Sequence, residues 1–158
     1  MVNLREMRVD EYPAYCGYFI ADYSHEIARN YGHSMQVATE MAQKDLIKSF
    51  PHGLESSEHD LLCIEIHLAG KPEVIGYLWH SLNKSDSSTF IYDFYVADEH
   101  RGNGYGRQAI SALENQLASQ GINQIKLRVA YHNQRALALY QAVGFTISGY
   151  NMSKNISM

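Results

Sequence analysis

Residues 90–107 decide the fold, and they read FIYDFYVADEHRGNGYGR. In positions 90–96 both alternating faces are apolar or aromatic, which is typical of a central β-strand covered on both sides. Asp93 is the exception. Burying an unpaired carboxylate costs several kcal/mol. The side chain is therefore expected either to be hydrogen-bonded in the core or to open onto a cavity.

A glycine-rich turn follows this strand, with glycines at positions 102, 104 and 106 ahead of a helical pattern. Such a turn can bind an anion, because the first N–H groups of a helix have no intrahelical partner and the helix dipole is positive there. The spacing fits neither G-x-G-x-x-G nor G-x-x-x-x-G-K-[ST]. The turn predicts another phosphate-bearing ligand, although a tight strand-to-helix connection also favours glycine for structural reasons alone.

Helices and strands are predicted on both sides of this unit. Asp10, Ser34 and Asn133 are in position to cap helices, and Gly121 is in position to end one. The predicted elements are strands at 3–8, 61–68, 74–82, 89–96, 124–131 and 145–153, and helices at about 12–31, 35–50, 107–120 and 134–140.

Composition limits the classes of function. With 158 residues, 46% of them hydrophobic and 19% charged, the chain predicts one globular domain over residues 1–158. A net charge of −4 argues against nucleic acid as a partner, and no apolar run is long enough for a membrane span or a secretion signal, so a cytoplasmic protein is expected. The spacing of the cysteines and histidines matches no metal site.

Two motifs carry a resemblance to a known family. Arg101, Gly104 and Gly106 match R/Q-x-x-G-x-G/A, and residues 133–145 match N-x-x-A-x-x-L-Y-x-x-x-G-F. Together they resemble the GNAT family of N-acetyltransferases. The resemblance implies an α/β fold of the α+β type, in which a mixed, mostly antiparallel sheet splays open at its centre and is flanked by about four helices.

The resemblance also implies acetyl-coenzyme A as cosubstrate, with no metal. Its pyrophosphate would bind the N–H groups of the glycine turn, and its pantetheine arm would pair with the strand before the turn. The implied cofactor-binding residues are Tyr95, Val96, Arg101, Gly102, Asn103, Gly104, Tyr105, Gly106, Arg107 and Asn133.

Catalytic roles follow from the chemistry of acetyl transfer to an amine. Asp93 is the candidate base, since desolvation would raise its pKa toward a useful value. Tyr140 is the candidate acid for the thiolate, and the resemblance implies a backbone N–H near Val96 as the oxyanion donor. Relatives with a carboxylate before this aspartate use that group, whereas this chain has Tyr92 there. A water relay or another carboxylate, such as Glu55 or Glu58, therefore stays open as the base.

The predicted function is acetyl transfer from acetyl-coenzyme A to a primary amine, with a small molecule favoured over a protein amino group. The alternatives are a catalytically silent acyl-coenzyme A-binding module, supported by Tyr92, and an interaction domain whose glycines are structural only. The first two helices, the loop at 51–60 and the hairpin are expected to select the acceptor. The resemblance further suggests a homodimer.

Overall fold

The computed structural model describes residues 1–55 and 58–156. The chain divides into two compact units, Met1–Arg128 and Val129–Met158, and each is described by itself. One domain over the whole chain therefore stays a prediction. The strands are β1 (Asn3–Glu6), β2 (Asp60–Leu68), β3 (Lys71–Asn83), β4 (Ser88–Val96) and β5 (Gln124–Leu127), and the helices are α1 (Tyr12–Tyr31), α2 (Met35–Ser49), α3 (Tyr105–Ala118) and α4 (Gln134–Ala142).

The first unit is built on a five-stranded sheet in the order β1-β2-β3-β4-β5. The first four strands pair antiparallel, and β5 pairs with β4 in parallel. The parallel step is possible because α3 lies between β4 and β5 in the chain and makes the crossover that parallel strands require. The predicted mixed, mostly antiparallel sheet with four helices is confirmed.

The sheet opens along β4. Only residues 88–91 of β4 pair with β5, which ends at Leu127, although the strand was predicted to extend to Tyr131. At the same point the register of β4 against β3 shifts, and the shift leaves Tyr92 as an extra residue in a β-bulge. Residues 93–96 of β4 pair with β3 alone. The bulge and the early end of β5 together produce the splay.

Apolar packing covers both faces of the sheet. On one face α1 and α2 pack against β2 and β3, and α3 lies on the other, where Leu117 borders the same cleft as Leu62. The α3 side chain of Gln116 also donates a hydrogen bond to the Leu4 carbonyl at the edge strand β1. None of the described helices is both long and apolar enough to span a membrane. The buried side chains of the α1–α2 layer are Met7, Tyr15, Phe19, Leu46, Phe50, Leu61, Cys63 and Trp79.

Helix caps tested the local predictions. Ser34 accepts a hydrogen bond from the N–H of Val37, as predicted. The prediction for Asp10 was wrong, because the N-cap position of α1 is Glu11, which makes no side-chain capping bond. The Glu11 carboxylate is instead held by two hydrogen bonds from the Arg5 guanidinium.

The second unit contains α4 and the segment that follows it. The Asn133 side chain accepts a hydrogen bond from the N–H of Ala136, which confirms the predicted cap. The predicted closing strand at 145–153 was wrong, because no strand lies between α4 and residue 156. A strand requires a ladder partner, whereas the N–H of Phe145 bonds back to the Tyr140 carbonyl and Met152 is 93% exposed.

Candidate active site

The end of β4 presents main-chain groups to the open side of the sheet. The N–H of Ala97 donates to the carbonyl of Ile75 at 2.8 Å, so the residue at position 97 faces β3. Because main-chain groups alternate along a strand, those of Tyr95 also face β3 and those of Val96 face the opposite side, where β5 has ended. The Val96 main chain is therefore the one placed to pair with an added ligand strand.

Gly76 makes this geometry possible, and the sequence analysis missed it. It lies on β3 opposite Val96, and a Cβ built on it would lie 2.0 Å from the carbonyl oxygen of Tyr95. Real Cβ atoms do not approach backbone oxygens so closely. The signal in the sequence was a glycine inside a strand pattern, which marks a bulge or a close backbone approach.

We expect Gly76→Ala to lower the free energy of unfolding by about 3 kcal/mol, the upper end of the cost of overpacking. The backbone of β4 must move to accept the methyl group, since its clash is with main-chain atoms. Urea unfolding measures the change. Gly17→Ala is the control, since its Cβ meets nothing within 4 Å and alanine favours the helix. Equal stability of the two variants would contradict the close approach.

Asp93 lies under α1 and receives two hydrogen bonds from it. The Tyr15 hydroxyl donates to Oδ2 at 3.0 Å and the Tyr18 hydroxyl donates to Oδ1 at 3.1 Å. Burial raises the pKa of Asp93 to about 7, the negative charges of Asp22 and Glu26 add to the rise, and the two tyrosine hydrogen bonds oppose it. A carboxyl group with that pKa exchanges its proton near neutral pH, as a general base does.

A cluster of four tyrosines surrounds this carboxyl group. The ring of Tyr18 lies 4.3 Å from that of Tyr95 on β4, and the ring of Tyr15 lies 5.0 Å from that of Tyr77 on β3. Burial raises the pKa of all four hydroxyls, and the charge of Asp93 adds to the rise for Tyr15 and Tyr18. The four hydroxyls therefore stay protonated at neutral pH, and those of Tyr15 and Tyr18 donate hydrogen bonds to Asp93.

The glycine turn has the backbone geometry of an anion site. Gly102 and Gly104 have φ values of 82° and 81°, and a Cβ at either would meet nothing within 4 Å. Gly104 is the N-cap residue of α3, and the N–H of Gln108 donates to its carbonyl at 3.0 Å. The N–H groups of residues 105–107 thus lack an intrahelical acceptor. Open space and N–H donors fit a pyrophosphate.

Arg101 uses its guanidinium within the protein. Its Nε donates to the Val96 carbonyl at 2.7 Å, and its Nη1 lies 2.5 Å from Asp98 Oδ1. The guanidinium carbon also lies 5.8 Å from the ring centroid of Tyr95. Asn103 donates to the His100 carbonyl at 3.2 Å and closes the turn. Both side chains shape the loop, while Arg107 is exposed at the first turn of α3.

Tyr92, the residue before Asp93, packs against other aromatic rings. The ring of Tyr92 lies 5.1 Å from that of Trp79 and 5.3 Å from that of His59, and Trp79 Nε1 donates to His59 Nδ1 at 3.0 Å. Glu55 lies in the 3₁₀ turn Gly53–Glu55, and the Glu58 carbonyl accepts a hydrogen bond from the Ser81 hydroxyl.

Two carboxylates of α1 affect the pKa of Asp93. The negative charges that raise its pKa come from Asp22 and Glu26. These residues continue the face of α1 that begins at Tyr18, since the three positions are four residues apart. The sequence analysis did not identify Asp22 as a site residue, and this four-residue spacing from Tyr18 was the available signal.

The remaining predicted site residues belong to the second unit. Asn133 is the N-cap residue of α4, and Tyr140 is a buried residue of the same helix whose ring lies 5.5 Å from that of Phe145. Within residues 1–55 and 58–156, no group of three His, Cys, Asp or Glu side chains is arranged as metal ligands would be.

A family model and a curated relative both match most of this chain. Residues 23–145 match the model of the acetyltransferase (GNAT) family. The chain is 29% identical to the uncharacterized N-acetyltransferase YycN of Bacillus subtilis over 98% of this chain and 99% of that protein. The crystal structure of YycN superimposes with a TM-score of 0.90 and covers 100% of both chains.

Two further matches are more distant. The PaiA N-acetyltransferase of Thermoplasma acidophilum, solved in complex with coenzyme A, gives a TM-score of 0.70 at 13% identity, covering 96% of this chain and 93% of that one. Thialysine N-epsilon-acetyltransferase of Bos taurus is 30% identical over 92 residues, which are 54% of each protein.

Proposed function

Because this chain belongs to the acetyltransferase (GNAT) family and is an acetyl-coenzyme A-dependent acyltransferase, we propose that it acetylates the primary amine of a small molecule by direct attack on the thioester. The observation that carries the proposal is Asp93, a carboxyl group with a pKa of about 7 beside the open end of β4. A resident base of this kind is needed for acetyl transfer but not for holding a ligand.

Binding of the cosubstrate is assigned to the first unit. The N–H groups of residues 105–107 and the open space at Gly102 and Gly104 fit the pyrophosphate. The N–H of Val96 would pair with the pantetheine arm, as in strand addition, while its carbonyl already accepts a hydrogen bond from Arg101 Nε. Main-chain donors would therefore do most of the binding.

Each proton and charge in the reaction has a proposed residue. Acetyl-coenzyme A supplies the activated acetyl group. Asp93 accepts the proton of the amine, which is mostly an ammonium ion at neutral pH. A backbone N–H near Val96 would stabilise the oxyanion. Tyr140 donates a proton to the thiolate, a role supported by the match of residues 133–145 to the family motif.

We expect Tyr140→Phe to lower kcat at least about tenfold, through loss of general acid catalysis, with little change in acetyl-coenzyme A affinity. The phenyl ring keeps its contact with Phe145. Steady-state kinetics and calorimetry separate the two quantities. Tyr131→Phe, at a tyrosine that is 87% exposed in the same unit, is the control. A wild-type rate for Tyr140→Phe would remove Tyr140 as the acid.

Thiol release from acetyl-coenzyme A tests the proposed function. The acceptors are a panel of diamines, aminoglycosides, amino acids and amino-terminal peptides, with thermal unfolding in coenzyme A as the binding measurement. A ligand at 100 times its Kd stabilises by about 2.7 kcal/mol. Amine-dependent release of thiol supports the proposal. A thermal shift without release indicates the silent acyl-coenzyme A-binding module that Tyr92 favours, and no shift indicates structural glycines only.

A further inference from the structure

We propose that Tyr18 is a catalytic residue that relays the proton of the acceptor amine to Asp93. The inference rests on the proposed acetyl transfer and adds to it the route by which the proton leaves. The observation behind it is that each carboxylate oxygen of Asp93 already accepts a hydroxyl from α1, at 3.0 Å from Tyr15 and 3.1 Å from Tyr18.

The two tyrosines differ in what else they can reach. Tyr15 has no exposed surface and packs between Tyr77 and Phe19. Tyr18 is half-buried, and its ring lies 4.3 Å from that of Tyr95, the residue before Val96 on the open end of β4. Of the two hydroxyls on Asp93, only that of Tyr18 belongs to a side chain that reaches the surface beside this strand end.

The relay transfers two protons. The N–H bond of the attacking amine breaks and its proton bonds to Tyr18 Oη, while the proton of the Tyr18 hydroxyl moves to Asp93 Oδ1. One proton leaves nitrogen, one O–H bond forms on the carboxyl group, and Tyr18 ends as a phenol. A free phenolate is disfavoured, because burial and the charge of Asp93 raise the pKa of Tyr18. The two transfers must therefore be concerted.

Charged and titratable neighbours set the conditions for this transfer. Asp22 and Glu26 on α1 raise the pKa of Asp93, and Glu26 Oε1 lies 3.8 Å from Arg128 Nη1. Burial raises the pKa of Asp22, and the positive charge of Arg101 opposes that rise. The guanidinium carbon of Arg101 lies 5.8 Å from the ring centroid of Tyr95. The site also contains the hydroxyls of Tyr15, Tyr77 and Tyr95, whose raised pKa values keep them neutral. Near pH 7 the exchangeable proton therefore belongs to Asp93.

Tyr15→Phe and Tyr18→Phe form a matched pair for the test. Each keeps its ring and removes one hydrogen bond to Asp93, so a positioning role predicts equal behaviour: both raise the pKa on the acidic limb of the kcat/KM profile. The relay predicts that kcat of Tyr18→Phe stays about 100-fold below that of Tyr15→Phe near pH 9, where Asp93 is ionised in both variants. The acceptor is the fastest amine of the panel described above.

A second measurement uses the wild-type protein, so it tests the relay even if the Tyr18→Phe variant does not fold. In mixtures of H₂O and D₂O, a relay moves two protons and gives a curved dependence of kcat on deuterium fraction, whereas direct transfer to Asp93 gives a straight line. Equal kcat for the two variants near pH 9, or a straight line for the wild type, overturns the relay alone. A wild type that releases thiol with no amine overturns the proposed function and the relay together.

Discussion

Gly104→Val is expected to abolish measurable acetyl-coenzyme A binding, with an affinity loss of at least about 100-fold. Two effects add. The glycine has a φ of 81°, and a β-branched residue in that region is strained by about 1–2 kcal/mol or more. Its side chain would also fill the open space beside the first N–H groups of α3, where an anion must approach. Calorimetry with coenzyme A measures the loss.

Gly121→Val is the matched control for this variant. Gly121 follows the other end of α3 with a φ of 74°, and a Cβ there also meets nothing within 4 Å. The two substitutions thus carry a similar backbone penalty, and their unfolding temperatures should fall together. Only Gly104→Val should lose the ligand. Unchanged affinity in Gly104→Val, or an equal loss in Gly121→Val, would refute a specific phosphate site at the turn.

Net charge alone does not decide whether a chain can bind an anionic ligand. A chain of charge −4 is poorly suited to nucleic acid, and the structure shows how it could still bind an anionic cosubstrate. Arg101 is committed to Val96 and Asp98, so the donors that remain at the turn are mostly main-chain N–H groups. Such donors need no formal positive charge in the sequence.

Local features were predictable because their causes are local. The apolar and aromatic pattern of residues 90–96 identified strand β4, although its second half is only partly covered, and the caps at Ser34 and Asn133 were identified from side chains that bond within three residues. The bulge at Tyr92 and the early end of β5 were not predicted, since both arise from the register between strands. Alternation alone also misplaced a strand at 145–153, where no partner strand pairs with it.

The site was predictable only in part for a similar reason. Asp93 could be singled out because a carboxylate in an apolar strand must be compensated. The compensating hydroxyls lie 75 and 78 residues away in the chain, in a helix whose aromatic residues predict packing rather than hydrogen bonding. Gly76 was missed because its role depends on the Tyr95 carbonyl of another strand. Contacts of this range follow from the fold and not from a motif.

Asp93→Asn is expected to lower kcat about 100-fold or more, within the range for loss of a general base. The amide oxygen can accept one tyrosine hydrogen bond and the amide NH2 group can donate to the other hydroxyl, but neither can take a proton from the amine. In the wild type kcat/KM should rise with pH through about 7, the pKa of Asp93. That limb should be absent in the variant. Asp86→Asn, at an exposed carboxylate paired with Lys126, is the control and should keep both the rate and the limb.

The same substitution should lower kcat but raise the stability of the folded chain above pH 7. The pKa of Asp93 is raised to about 7 in the folded chain, so between its ordinary value and 7 the folded state holds one more proton than the unfolded state. Stability from this group is therefore full at low pH and is lost as the pH rises through 7. Asparagine has no charge to bury, so Asp93→Asn should unfold at a higher temperature than the wild type above pH 7, with a difference that shrinks below pH 6. A variant that is both inactive and less stable at pH 8 would indicate that Asp93 is a structural carboxylate. A variant that is inactive and more stable at pH 8 would show that the wild type retains a destabilising charge because the reaction uses it.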